Sequence, residues 1–167
     1  YADTGYAPKC WYYSSYGLTH GAENVVTAIR DSCNIFFYTV GDEMGIDKLD
    51  KYAALFGLGE STGIELPEDK GNMADPETHK KIQGADWYNG DTVQAAIGQS
   101  DSLFTPLQIA EYCAAIANGG ERHTASILKT VRTYDYGTTV FTRSSDVLAK
   151  VDSPDYNWKA VQQGMYL

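Results

Sequence analysis

The chain has 167 residues, 43% of them hydrophobic and 21% charged, which is enough apolar material for one domain with its own core and too much for a disordered segment. Its 13 basic residues are scattered among 22 acidic ones, for a formal charge of -9; this excludes a nucleic-acid binder that works by phosphate neutralisation and argues against docking on anionic lipid. The three cysteines, Cys10, Cys33 and Cys113, cannot all pair within the chain and show no C-x-x-C spacing, so neither a disulfide framework nor a zinc ribbon is expected.

Residues 1–20, "YADTGYAPKCWYYSSYGLTH", are rich in Tyr, Gly and Ser without a sustained period and read as loop with a short strand. From Gly21 an apolar face of Val25, Val26 and Ile29 predicts a helix to about Arg30, leaving Ser32 just past its end. The run "IFFYTVGDEMG" suits a strand by composition and a buried helix by continuous apolarity; helix is favoured, with Asn34 as its N-cap. Leu49, Tyr52, Ala53 and Phe56 follow helical spacing, with Asp47 as start and Gly57 as stop. "STGIELPED" reads as a short extended piece broken by Pro67. Residues 68–92, polar and punctuated by Gly71, Gly84 and Gly90, read as a long functional or wrapped loop.

The strongest local signal is "TPLQIAEYCAAIANGG". Thr105 caps and Pro106 takes the first helical position. Ile109, Tyr112, Cys113, Ile116 and Ala117 form a face, and Asn118, Gly119 and Gly120 stop the helix. "SILKTVRTYDYGTTVFTR" predicts a hairpin around Gly137, and Ser153 with Pro154 opens a last helix carrying Trp158, Val161 and Met165. The whole predicts an α+β class: a mainly helical segment with a small late hairpin. With no Met at Tyr1 and no stop signal at Leu167, both ends are expected to cut through a longer protein. No apolar run approaches the ~20 residues that span a bilayer, so any export signal or anchor would lie outside these residues.

Ser32 and Asn34 flank Cys33. A hydroxyl both donates and accepts a proton, and an Asn amide offers two donors and an acceptor in fixed geometry, so the pair suits proton relay and amide orientation in acyl transfer. Alone, Ser-x-Asn is a weak pattern that a capping Asn and a turn Ser would also produce. Its surroundings are more specific. "HGAENVVTAIRDSCNIFFYTVGDEMGIDKLDKYAALFGLGESTGIELPED" followed by "AAIGQSDSLFTPLQIAEYCAAIANGG" closely resembles the transpeptidase domain of penicillin-binding proteins, from about His20 to Gly120, and "AVQQGMYL" near the end is still similar.

That family builds its site from Ser-x-x-Lys, Ser-x-Asn and Lys-Thr-Gly, and the resemblance carries over only the second, onto Ser32 and Asn34 as catalytic residues. It implies a protein that cross-links peptidoglycan stem peptides, is acylated by β-lactams, needs no cofactor or metal, and sits outside the cytoplasm anchored to the bacterial cell membrane. Ser126 to Lys129 matches Ser-x-x-Lys by chance, in a β-patterned run. "KTV" at Lys129 to Val131 is not Lys-Thr-Gly, and Ser100 stands where relatives usually carry glycine. Residues 1–167 are therefore expected to be the central part of one transpeptidase domain, lacking the other two motifs and inactive alone. His20, His79 and His123 suggest surface or capping roles and not a metal site. The alternative class, a non-catalytic peptidoglycan or sugar binder, rests on the aromatics Tyr6, Trp11, Tyr12, Tyr13 and Tyr16.

Overall fold

A computed structural model describes residues 7–167; Tyr6 lies outside them. The described elements run α1 (Trp11–Tyr16), α2 (Val25–Arg30), α3 (Asn34–Met44), α4 (Ile46–Leu55), α5 (Pro76–Gln83), α6 (Asn89–Ala95), α7 (Pro106–Ala117), β1 (Glu121–His123), β2 (Thr130–Arg132), β3 (Thr139–Thr142), β4 (Val147–Lys150) and α8 (Asp155–Tyr166). The strands form two separate antiparallel pairs, β1 with β4 and β2 with β3, so the α+β expectation holds with helices dominant.

Helix starts follow capping chemistry. At α2 the Asn24 side chain accepts from the backbone N–H of Val26 and Thr27, while the Thr27 hydroxyl accepts from Asn24 N–H, a reciprocal box that satisfies N–H groups with no partner inside the helix. At α7 Thr105 and Gln108 do the same, with Pro106 in the first turn as its fixed φ predicts. Gln108 is fully buried, and its amide also donates to the carbonyls of Glu60 at 2.9 Å and Lys70 at 2.7 Å. A polar side chain thereby ties the 60–70 loop to the core, its amide hydrogens and its oxygen all bonded.

Three expectations are corrected. Residues 11–16 form α1, with no strand in the described part of the first twenty: the rings of Tyr12 and Tyr16, one turn apart, meet at a tilt at 5.3 Å, and Gly17 ends the helix in the left-handed region. Residues 68–92 hold α5 and α6, and α5 is announced by Asp75, whose carboxylate caps Glu77 and Thr78, and by Pro76. "STGIELPED" has no helix or strand and bends at Glu65 and Leu66, with Glu68 accepting from the N–H of Thr62 and Gly63. Asn34 does not cap α3: it is the first helical residue, and Cys33, with φ -76° and ψ 100°, holds the cap position without a side-chain bond.

Two close approaches set how the helices lie. A Cβ built on Gly41 of α3 would sit 2.2 Å from the Cβ of Ala96, just past α6. One on Gly164 of α8 would sit 2.8 Å from the Cβ of Ile29 in α2. The absence of a side chain lets α6 close on α3 and α8 close on α2, which fixes both helices that flank Ser32. Behind them Cys10, Ala28 and Cys33 form a buried cluster joined by Tyr12, Phe36 and Phe37.

Candidate active site

The Ser-Cys-Asn segment is the joint between α2 and α3, and the backbone explains its shape. Beyond Arg30, Asp31 N–H reaches Thr27 O at 2.8 Å, Ser32 N–H reaches Ile29 O at 3.2 Å and Cys33 N–H reaches Ala28 O at 2.9 Å. The last two are the crossed pair of bonds that close a helix when the residue after its C-cap turns left-handed. Ser32 is that residue, with φ 52°, a place usually filled by glycine because a Cβ there costs about 1–2 kcal/mol. The apolar contact that goes with this motif is present as Cys33 against Ala28 in the buried cluster.

This geometry sorts the three side chains. Cys33 is 5% exposed and points into the core, Ser32 is exposed, and Asn34 is half-buried on the first turn of α3. Neither Ser32 nor Asn34 makes a side-chain hydrogen bond among the described residues, so the hydroxyl and the carboxamide both keep their donors and acceptors available. Ser32 lines a hollow of about 510 Å³ with Trp11, Tyr12, His20, Arg30 and Asp31; Asn34 does not line it. The two residues are two apart along the chain, and only Ser32 lines this hollow.

The Ser32 turn is braced from outside. The indole N–H of Trp11 lies 3.1 Å from both Asp31 O and Ser32 O. Arg30 forks onto Asp31 at 2.7 and 2.8 Å, and these hydrogen bonds hold the exposed Asp31 carboxyl below its ordinary range. A larger apolar hollow, about 600 Å³, opens on the other side, lined by Leu18, His20, Cys33, Ile35, Phe36 and Val40 among others.

Between the two hollows the ligand-capable atoms of Cys10, His20 and Cys33 lie within 4.8 Å of one another, with Cys10 Sγ 3.6 Å from His20 Nδ1. Two thiols and an imidazole are a donor set that suits a soft divalent cation such as zinc, and burial pushes the Cys33 thiol up. His20 is half-buried and lines both hollows. No spacing rule joins these residues, because they sit on three separate pieces of chain. His79 is likewise half-buried, its Nδ1 2.5 Å from Asp101, which also accepts from Gln83.

The remaining sequence candidates fall where their patterns indicated. The Ser126 hydroxyl is engaged by Glu65 next to the hairpin, and Lys129 to Val131 run into strand β2, so neither resembles a nucleophile at a helix start. Ser100 adopts φ 63°, keeping the left-handed turn that glycine would supply.

The chain matches the family described as penicillin binding protein transpeptidase domain over residues 3–167. It is 32% identical over 149 residues to the peptidoglycan D,D-transpeptidase MrdA of Acinetobacter baumannii, covering 87% of this chain and 22% of that protein. Among solved structures, penicillin-binding protein PBP2 of Helicobacter pylori superposes with a TM-score of 0.68 at 33% identity, covering 88% of this chain and 26% of that one. Penicillin-binding protein 2B of Streptococcus pneumoniae reaches 0.78 at 25% identity, covering 98% and 29%. The chain thus spans less than a quarter of the length of these curated relatives. With the family matched along nearly all of the sequence and the helical joint carrying Ser-Cys-Asn built as described, this chain belongs to the penicillin-binding protein transpeptidase domain family.

Proposed function

We propose that this chain is the central part of a transpeptidase domain, contributing the Ser-x-Asn element to a site that cross-links peptidoglycan stem peptides and is acylated by β-lactams. The observation that carries the reading is Ser32 itself: a strained left-handed serine, hydroxyl exposed, one residue from a carboxamide without a side-chain partner among the described residues. Strain of this kind persists where surrounding structure enforces it, and it clusters at functional sites. In this reading Ser32 relays a proton between a lysine of the Ser-x-x-Lys segment and the leaving group, and Asn34 holds that lysine and the substrate amide. Both the nucleophile and the Lys-Thr-Gly strand come from polypeptide outside residues 1–167, and the reaction needs no cofactor.

The substrate lies outside the cytoplasm, so the whole protein is placed there, anchored to the bacterial cell membrane. Among the described residues no helix is long and apolar enough to cross a membrane, and the anchor is assigned to another part of the protein. The sugar-binding alternative is not favoured: the family match is to a transpeptidase domain, and Tyr12 stacks on His20, which covers one face of its ring.

The test is acylation by fluorescent penicillin. In the whole protein Ser32→Ala and Asn34→Ala should each slow acylation by about 10²-fold, the lower end of what a positioned proton-transfer group contributes, with the melting curve retained. The 167-residue chain alone should give no covalent band. Unchanged rates in both variants would remove the pair from the mechanism.

A further inference from the structure

We propose that Trp11 is a positioning residue for the Ser-Cys-Asn turn, acting through Ser32 without touching substrate; this rests on the reading of Ser32 given above. The backbone angles of Ser32 set how the peptide groups on its two sides are turned. The carbonyl before it belongs to Asp31 and the one after it to Ser32, and both converge on one indole N–H at 3.1 Å. A single donor therefore tethers both peptide groups. Rotation of Ser32 out of φ 52° into the unstrained extended region would swing at least one carbonyl off the indole.

The donor is held in turn. Trp11 opens α1 directly after Cys10, which is 6% exposed in the cluster with Cys33 and Ala28, and its ring meets Tyr16 edge-on at 6.4 Å and His20 at a tilt at 5.8 Å. The same buried cluster thus fixes Trp11 on one side and the turn on the other. The hydroxyl of Ser32 leaves from the atom that these two tethers orient, which makes the N–H of Trp11, and not only its bulk, the feature on which the hydroxyl's direction depends.

The experiment uses the whole protein and Trp11→Phe, which keeps an aromatic ring and removes the donor. Penicillin acylation is resolved into the dissociation constant of the non-covalent complex and the first-order acylation constant, beside the melting temperature and the active fraction from end-point labelling. The acylation constant should fall about tenfold, the scale of a modest loss of transition-state positioning, with the dissociation constant unchanged, and Trp11→Phe should cost nothing further in a Ser32→Ala background. A merely structural role would lower the melting temperature and active fraction but leave the rate constant of the remaining active enzyme intact, and that result overturns the proposal. So does an equal loss in the Ser32→Ala background. If Ser32→Ala itself leaves acylation unchanged, the reading of Ser32 falls and the proposal with it; if Ser32→Ala slows acylation and Trp11→Phe does not, Trp11 alone is removed.

Discussion

At Ser32 two demands oppose each other. The helix closure that turns the chain from α2 into α3 calls for a left-handed residue, which glycine fills without strain, whereas the proposed chemistry calls for a hydroxyl. The conflict can be measured by comparing two substitutions that both delete the hydroxyl. Ser32→Gly should be more stable than Ser32→Ala by about 1 kcal/mol, because alanine keeps the Cβ penalty at φ 52° and glycine does not. Urea melts of the two variants check this, and equal midpoints would show that the turn is not held left-handed. That Ser32 lies past the end of α2 was legible from the periodicity of Val25, Val26 and Ile29. Its handedness was not, since a Ser after a helix gives no sign of φ when glycine is absent, and for the same reason Asn34 read as the cap when Cys33 takes that position.

Among the elements, those with an apolar face or a strong cap were legible, and those without were not. Helix α7 announced itself through Thr105, Pro106 and a continuous face, whereas α5 buries none of its residues and so left no periodic trace in "PETHKKIQ". Its start was nonetheless written in Asp75 and Pro76, signals outweighed by the polar run around them. Strands β1 and β4, three and four residues long, are too short for alternation to show. Packing between elements is less visible still, because Gly41 reads locally as a weak point in α3 and its reason, Ala96, lies far along the chain. The space between them predicts the cost of filling it. Gly41→Ala should destabilise the domain by about 1–3 kcal/mol, since the new Cβ would lie 2.2 Å from that of Ala96 with no rotamer to escape into. Ala96→Gly in the same chain should recover most of the loss in a thermal melt, and the absence of recovery would place the strain elsewhere.

Over the whole molecule the family resemblance was legible because several motif blocks keep their order and spacing, while the cluster of Cys10, His20 and Cys33 was not, because only folding brings its three atoms within 4.8 Å. The acidic surplus is likewise uninformative until the fold gives each carboxylate its surroundings. Asp50 on α4 is pushed up to about 6, first by burial and then by the carboxylates of Asp75 and Asp47, against an ordinary 3.8. Its folded state holds the proton more tightly than the unfolded chain does, so stability falls as pH rises from about 4 through 6. Other carboxylates run the opposite way. Hydrogen bonds from Ser126 and from the Ile127 N–H hold Glu65 down at about 2, Thr62 lowers Glu68, and Gln83 and His79 lower Asp101. What these three contribute is present above the ordinary carboxylate range and is lost as pH falls below about 4. The Asp50 contribution to the melting temperature, read between pH 4 and 8, should therefore decline from about pH 4 through 6 in the native sequence. In Asp50→Asn, where the amide carries no proton to lose, that decline should flatten while the acid-side loss remains. A native profile already flat across that window would mean that Asp50 ionises as freely in the folded domain as in the unfolded chain.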